Sequence, residues 1–176
     1  MSSMKKISTE LIKAAQGEFP IDLLLKNAQI VNVFSGEIYR ENVAIWDKFI
    51  VGFGDYEAKR TIDLEGLYLA PGFIDGHVHT ESAMVEIPQF ARAVVPRGTT
   101  SVVCDPHEIA NVMGYDGIRY ILESSKYNPL NVFIMLPSCV PSTPFETSGS
   151  ELRAFDLDPF FSEKWVLGLA EVMNYP

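Results

Sequence analysis

Residues 71–79, with the sequence PGFIDGHVH, decide the fold. The apolar segment Phe73–Val78 follows a Pro-Gly break and predicts a β-strand buried inside a sheet. Side chains two residues apart on a strand point to the same side, so His77 and His79 can present both imidazoles to one point. Imidazole is a common ligand of Zn, Mn and Fe. A His-x-His pair alone is as consistent with two hydrogen-bonded histidines in a core or loop as with a metal site. Its position at the end of a buried strand favours the metal site.

Downstream of this segment, short apolar runs alternate with stretches of helical spacing. This order predicts an α/β fold with a parallel sheet, whose apolar strands we expect to be covered on both faces. Four βα units would form the N-terminal half of a TIM-type (β/α)8 barrel, whose active sites lie at the carboxyl ends of the strands. An open doubly wound sheet is the alternative, but no glycine-rich phosphate loop follows the first strand. The predicted strands are Phe73–Val78, Thr100–Cys104, Asn131–Leu136 and Trp165–Ala170, and the predicted helices lie within Ala83–Val95 and Ile109–Ser124.

The sequence before the Pro-Gly break has a different texture. Residues 21–70 contain short β-type runs separated by glycines, which predict a small β domain. Residues 1–20 predict a helical appendage, with a helix over residues 8–16 that begins at Ser8 or Thr9 as N-cap and stops at Gly17. The predicted strands of the small domain are Leu23–Val33, Val43–Phe53 and Thr61–Leu64. We therefore divide the chain into residues 1–20, 21–70 and 71–176.

Ionisable residues also follow the second and fourth predicted strands of the barrel. Glu171 comes after six uncharged residues, and a carboxylate at a strand end is rarely buried unless it is paired or metal-bound. His107 and Glu108 follow the second strand, where an imidazole near a metal could carry protons. The alternatives remain open: Glu171 could be a solvated loop residue, and Asp105 with Pro106 could simply form a turn before a helix that carries Glu108 in its first turn.

Two residues after the histidine pair require separate interpretations. We predict that Ser82 is the N-cap of the next helix, which explains its presence without any function. Glu81 would lie on the loop above a metal site, where its carboxylate can only accept hydrogen bonds.

Composition narrows the function classes. A hydrophobic fraction of 47% is typical of a globular protein, and a formal net charge of −9 argues against binding nucleic acid. No apolar run approaches the roughly 20 residues that would span a bilayer, and no secretion signal is visible. Cys104 and Cys139 lie in apolar runs and are predicted to be buried free thiols, which indicates the cytoplasm.

Three segments together resemble the amidohydrolase superfamily, and within it the adenine deaminases: APGFIDGHVH, HVHTESAM and the final GLAEVMNYP. The resemblance implies that residues 21–70 are part of a composite β-sandwich domain and that residues 71–176 are the first four βα units of the barrel. His77 and His79 would bind the more buried metal of a binuclear site. Glu171 stands where many relatives have a carboxylated lysine that bridges two metals, and Glu81 stands where dihydroorotases have a substrate-binding arginine.

The implied reaction is hydrolysis of adenine to hypoxanthine and ammonia by a metal-activated hydroxide, in purine salvage. His107 and Glu108 are the candidate proton carriers, and Glu81 would accept a hydrogen bond from a purine N–H. The resemblance implies Mn²⁺ or Fe²⁺, and the ligands alone would also accept Zn²⁺.

Two other functions remain open at this point. The protein could act on a different cyclic amide, like dihydroorotases and hydantoinases, or the chain could be a metal-binding module without turnover. Family members take further metal ligands from later strands, whereas this sequence has three histidines in all, so we expect a fragment that cannot complete the site alone. An unpaired strand edge leads us to expect self-association into a homo-oligomer, with neither nucleic acid nor membrane as a partner.

Overall fold

The computed structural model describes residues 2–174, with side chains described for residues 9–174. They form two compact units that meet in sequence between Pro71 and Gly72. The chain begins with helix α1, Ser2–Ala15, and Gly17 follows it at a φ of 70°. The predicted start was wrong: Ser8 and Thr9 lie inside the helix and do not cap it. No helix in the described part of the chain is long and apolar enough to cross a membrane.

The rest of the first unit is a single five-stranded sheet. Its central strand β1 is antiparallel to β2 and parallel to both β4 and β5, and β3 pairs antiparallel with β2. The prediction of one strand over Val43–Phe53 was wrong, because a turn at Asp47, with a φ of 53°, divides it into two strands. The part of a β-sandwich expected here stays a prediction. The strands are β1 Leu23–Val31, β2 Ile38–Trp46, β3 Phe49–Phe53, β4 Thr61–Asp63 and β5 Tyr68–Leu69.

A bulge in β1 reverses the side-chain alternation of this sheet. The register with β2 shifts between Leu25 and Ala28, and Asn27 within the shift has a φ of 58°. Leu24 and Ala28, four residues apart, would face the same side of a regular strand. The extra residue of the bulge places them in different apolar clusters instead.

The polar side chains beside this bulge form a hydrogen-bonded group that we call the Asn27 cluster. Asn27 Nδ2 donates to Asp63 Oδ1 at 2.8 Å, and its Oδ1 accepts from Arg40 at 3.1 Å. The Asn27 main-chain N–H donates to Asn42 Oδ1 at 2.9 Å, and Asn42 Nδ2 donates to Asp55 Oδ1 at 2.9 Å. Each of these side chains therefore has a hydrogen-bond partner within the cluster.

The second unit is built on a four-stranded parallel sheet in the order β6-β7-β8-β9. This arrangement is that of an α/β domain of the TIM-barrel type, as the sequence predicted. The strands are β6 Phe73–Val78, β7 Thr99–Cys104, β8 Asn131–Leu136 and β9 Val166–Leu169. The helices are α2 Ile87–Val94, α3 His107–Met113, α4 Tyr115–Ser124 and α5 Ala154–Leu157, with 3-10 turns at Thr80–Ala83, Val95–Arg97 and Asp158–Ser162.

The hydrophobic core of this unit lies under the two central strands. Val102 and Cys104 of β7 and Ile134 of β8 are fully buried, and they pack with apolar residues of the helices. The prediction that every strand is covered on both faces was wrong for the outer strands. Ile74 of β6 is 70% exposed and Leu167 of β9 is 57% exposed, because neither side chain packs into the core cluster of the described residues.

The helices depart from their predicted bounds at Gly114 and at the turn Thr80–Ala83. The stretch predicted as one helix over Ile109–Ser124 is divided at Gly114, where φ is 57° and a side chain would collide with Ser150 Oγ. Helix α2 begins only at Ile87, after the turn Thr80–Ala83, and its N-cap is Glu86. The prediction that Ser82 caps this helix was therefore wrong.

A long connection, residues 137–153, follows β8, and we call it the β8 loop. Its base is closed by a bridge between Val140 and Leu152. Its far side is fixed to α3, because the Asn111 carbonyl oxygen accepts hydrogen bonds from Ser148 Oγ at 2.7 Å, Gly149 N at 2.9 Å and Ser150 N at 3.1 Å. A side chain at Gly149 would lie 2.6 Å from the Val112 carbonyl oxygen, so glycine permits this close approach.

Candidate metal centre

Four side chains meet at the carboxyl ends of three strands of the parallel sheet. They are His77 on β6, His79 just after it, Asp105 directly after β7, and Glu171 two residues after β9. One ligand atom from each lies within 4.8 Å of the corresponding atoms of the others. We call these four residues the metal-ligand cluster, since imidazole and carboxylate groups at this spacing are suited to one divalent cation.

The two imidazoles face each other through the same ring nitrogen. His77 Nε2 and His79 Nε2 are 3.1 Å apart, and Glu171 Oε1 lies 3.8 Å from the first and 3.6 Å from the second. Alternation along β6 produces this geometry, because it places both histidines on one side of the strand. The three predicted metal residues are thus brought together.

The other nitrogen of His79 fixes the orientation of its ring. His79 Nδ1 lies 2.9 Å from the Asp105 carbonyl oxygen and 3.2 Å from Glu108 Oε2. Both neighbours are acceptors, so Nδ1 carries the proton and Nε2 presents a lone pair to the cluster. Metal-binding histidines usually have this kind of partner on their outer nitrogen.

Asp105 is the member of the cluster that the sequence interpretation missed. Its side chain is buried, and among the described residues neither carboxylate oxygen has a hydrogen-bond donor. Burial raises the pKa of this carboxyl to about 6. An unpaired buried carboxylate is unfavourable unless a cation compensates it, so the residues present fit a divalent metal. Its position after an apolar strand, as for Glu171, was the signal that could have identified it.

Glu171 follows β9, which lies at the opposite edge of the sheet from β6. The Ser138 hydroxyl donates to the Glu171 carbonyl oxygen at 2.8 Å, which ties the segment after β9 to the segment after β8. Next to the cluster is a cavity of about 270 Å³. Its lining residues are Gly76, His77, Val103, Asp105, Met135, Leu169, Ala170 and Glu171.

The turn after the histidine pair is joined to the first turn of α3. Glu81 Oε1 accepts from the Ile109 main-chain N–H at 3.2 Å, and burial raises the pKa of the Glu81 carboxyl. Ser82 Oγ donates to Glu108 Oε1 at 2.9 Å. Glu108 lies in the first helical turn, as its sequence position indicated, and its second oxygen faces His79.

His107 lies deeper than the other predicted site residues. It is 7% exposed, its Nε2 lies 3.5 Å from Ser142 Oγ in the β8 loop, and its Nδ1 has no partner among the described residues. Burial lowers the pKa of the His107 imidazole, which favours the neutral form. The structure gives His107 no hydrogen bond to the metal-ligand cluster within the described chain.

The two cysteines are free but are not alike. Cys104 is fully buried at the end of β7, where its main chain pairs with Val78 on one side and Ile134 on the other. Cys139 is only half-buried, so the prediction of a buried thiol was wrong there.

Comparison with known proteins assigns the family. The amidohydrolase family profile matches residues 68–174. An adenine deaminase of Kosmotoga olearia is 56% identical over 95% of this chain and 29% of its own length, and adenine deaminase 2 of Carboxydothermus hydrogenoformans is 54% identical over 98% and 30%. The chain therefore spans about 30% of the length of the curated relatives it matches.

Solved structures support the fold. Atrazine chlorohydrolase TrzN from Arthrobacter aurescens, complexed with zinc, superposes with a TM-score of 0.58 over 84% of this chain and 46% of its own, at 17% identity. The resemblance drawn from the sequence is confirmed, and a divalent metal is supported by the cluster together with this fold. The chain belongs to the amidohydrolase family, and over nearly its whole length it is similar to adenine deaminases.

Proposed function

We propose that the protein containing this chain hydrolyses adenine to hypoxanthine and ammonia in a metal-dependent reaction. The observation that carries the proposal is the metal-ligand cluster, found in a chain that is 54–56% identical to proteins named adenine deaminase. We propose Mn²⁺ or Fe²⁺ as the metal, although zinc is compatible with the same ligands. We also propose that the five-stranded sheet is part of a composite β-sandwich domain, that the protein works in the cytoplasm, and that copies of it associate.

The four residues of the cluster would hold the metal. His77 and His79 would supply imidazole nitrogens, Glu171 would supply a carboxylate, and the unpaired Asp105 would supply a second carboxylate with no competing donor. When bound, a divalent metal lowers the pKa of water and makes hydroxide available near neutral pH to attack the carbon that bears the amino group.

Recognition of the base is assigned to Glu81. Its carboxylate can accept a hydrogen bond from a purine N–H, and it cannot stabilise an anionic substrate. Its Oε1 accepts from the Ile109 N–H at 3.2 Å and its Oε2 accepts from the Thr80 hydroxyl at 3.4 Å, which hold the carboxylate in place, and each oxygen keeps a second lone pair for a ligand. Cyclic ureides that carry a carboxylate are therefore the less favoured substrate class.

Proton transfer to the departing ammonia is assigned to Glu108 or His107. Glu108 lies closer to the cluster, with Oε2 at 3.2 Å from His79 Nδ1, whereas His107 is buried against Ser142. A general acid must reach the leaving group directly or through one water. On this geometry Glu108 is the stronger candidate.

The test uses the full-length protein, freed of metal and then supplied with Mn²⁺ or Fe²⁺. We expect ammonia and hypoxanthine in equal amounts from adenine, with little ring opening of dihydroorotate or hydantoin. Metal-loaded protein that leaves adenine intact contradicts the proposal. Hydrolytic ring opening of a cyclic amide without deamination of adenine would instead favour the dihydroorotase-like alternative, and Glu81→Arg should move activity further in that direction.

A further inference from the structure

His79 Nδ1 faces two oxygen atoms from different parts of the chain, one in a hydrogen bond and the other at ion-pair distance. One is the main-chain carbonyl of Asp105, at 2.9 Å from Nδ1, and the other is the Glu108 carboxylate, at 3.2 Å. The carbonyl is part of the backbone and keeps its position. The carboxylate stands on a flexible side chain that is about half exposed, so its contribution depends on what holds it.

Ser82 is the residue that holds this carboxylate. Its hydroxyl donates to Glu108 Oε1 at 2.9 Å, which leaves Oε2 facing His79 Nδ1. Ser82 lies on the turn Thr80–Ala83, and the same turn is joined to α3 by the Glu81 carboxylate and the Ile109 N–H. Two hydrogen bonds therefore fix the turn against the helix, and the serine is placed where it can orient Glu108.

We propose that Ser82 is a positioning residue for the metal centre: it orients Glu108 so that the carboxylate and the Asp105 carbonyl together fix His79 with Nε2 toward the metal. The proposal rests on the metal site of the proposed function. An acceptor on the outer nitrogen of a histidine ligand sets the tautomer and increases the basicity of the ligand nitrogen. Losing such a partner typically weakens metal binding by about 10–100-fold.

The experiment measures Mn²⁺ affinity of the full-length protein by competition with a chelator, together with kcat and KM for adenine. We expect Ser82→Ala to weaken Mn²⁺ binding by roughly 10-fold, at the low end for an outer partner because the Asp105 carbonyl remains. Ser82→Thr keeps the hydroxyl and should bind within about 2-fold of wild type, since the same hydrogen bond can form. With saturating metal, the KM for adenine should stay unchanged.

A double substitution shows whether Ser82 acts through Glu108. Glu108→Gln alone should weaken Mn²⁺ binding, and adding Ser82→Ala should weaken it no further, because the serine has lost the group it orients. The matched control is Ser162→Ala, which removes a hydroxyl that donates to the Pro159 carbonyl at 2.9 Å, before the start of β9. This control should leave metal affinity unchanged.

The outcomes separate this inference from the proposed function. Wild-type protein that takes up no metal overturns both. Wild-type protein that binds metal and deaminates adenine, with Ser82→Ala binding Mn²⁺ equally tightly, overturns the inference alone. Additive losses from Ser82→Ala and Glu108→Gln also overturn it, since they would show that the serine acts independently of the carboxylate.

Discussion

Two groups of polar side chains in this chain differ in how completely they are paired. In the Asn27 cluster each side chain has a hydrogen-bond partner within the cluster, and the hydrogen bond from Asn27 lowers the pKa of the Asp63 carboxyl. In the metal-ligand cluster, Asp105 is buried without a donor and burial raises the pKa of its carboxyl to about 6. The Asn27 cluster therefore pairs its own polar groups, whereas the metal-ligand cluster leaves the Asp105 carboxylate unpaired until a cation binds.

The difference indicates which polar group has a function beyond the fold. Hydrogen bonds that close within the protein contribute modestly to stability, whereas a buried unpaired carboxylate lowers it. A folded protein that keeps a buried unpaired carboxylate is less stable than it could be, and such a group therefore indicates a binding site. The variants below would break or sharpen this comparison, from the largest expected effect to the smallest.

The largest effect is expected from removing a histidine ligand. His79→Ala in the full-length protein should lose metal and lower adenine deamination by more than the roughly 100-fold upper range for an outer partner, because a direct ligand is lost. Asn27→Ala, in the paired cluster, should leave the metal content unchanged. Metal content can be measured by elemental analysis after gel filtration. Full metal occupancy in His79→Ala would contradict the assignment.

Asp105→Asn should make the metal-free protein more stable above pH 6 while weakening metal uptake. The folded pKa, about 6, lies above the ordinary 3.8, so the folded state binds more protons between these values. The free energy of unfolding therefore falls as pH rises through this window and stays low above it. The free energy of unfolding of Asp105→Asn does not fall in this way. At pH 8 it should exceed that of metal-free wild type by at most about 3 kcal/mol, since one pKa unit corresponds to about 1.4 kcal/mol.

Urea unfolding of metal-free wild type and Asp105→Asn, at pH 5 and pH 8, measures this effect. A variant that is less stable than wild type at pH 8 would mean that Asp105 has an internal partner, as the side chains of the Asn27 cluster do. The contrast between the two groups would then disappear.

Asn111 shows the same contrast within one residue. Its carbonyl oxygen accepts three hydrogen bonds from the β8 loop, whereas its buried Oδ1 has no partner among the described residues.

Gly149→Ala should separate the loop from α3, because the new Cβ would lie 2.6 Å from the Val112 carbonyl oxygen. We expect a loss of roughly 1–3 kcal/mol, typical of overpacking.

Hydrogen exchange of the β8 loop measures this separation directly. Gly168→Ala is a suitable control, since its Cβ would meet only Met135 Cε, at an ordinary 3.7 Å. Equal protection of the loop in Gly149→Ala and wild type would show that the loop can move without losing its contact with α3.

The smallest effect concerns the backbone of Asn27. Its φ of 58° is accessible to asparagine and glycine, whereas alanine there costs about 1 kcal/mol or slightly more. Asn27→Gly should therefore be more stable than Asn27→Ala by about 1 kcal/mol, although both lose the same side-chain hydrogen bonds. Thermal unfolding compares them. Equal stability would indicate that the bulge changes its conformation.

The sequence predicted the parallel sheet well because apolar runs carry that signal. The bounds of Phe73–Val78 and Asn131–Leu136 agree with the structure to the residue. The turn at Asp47 was missed because no glycine or proline marks it, and the bulge at Asn27 was missed because an asparagine at positive φ leaves no periodic pattern. The unpaired edge of a half barrel was expected, whereas the exposed faces of β6 and β9 were not, because hydropathy does not show which elements cover a strand.

For the candidate site, the sequence predicted the groups that strand ends bring together. His77, His79 and Glu171 converge because parallel strands share one carboxyl edge. Asp105 was not named as a ligand because aspartate before proline is also common in turns and the two interpretations stayed open, and only its burial without a partner distinguishes it. The link from Ser82 to Glu108 spans 26 residues and depends on how the turn docks on α3, which no local pattern specifies.

The alkylation rate of the buried Cys104 thiol can be used to measure local opening in the middle of the parallel sheet. Burial raises its pKa to about 11, so at neutral pH it is a protonated, solvent-shielded group that alkylating reagents do not attack. Cys139, which is half-buried, should react first. The rate at which Cys104 is alkylated then reports how often β7 separates from β6 or β8, and a bound metal that joins β6, β7 and β9 should slow that rate.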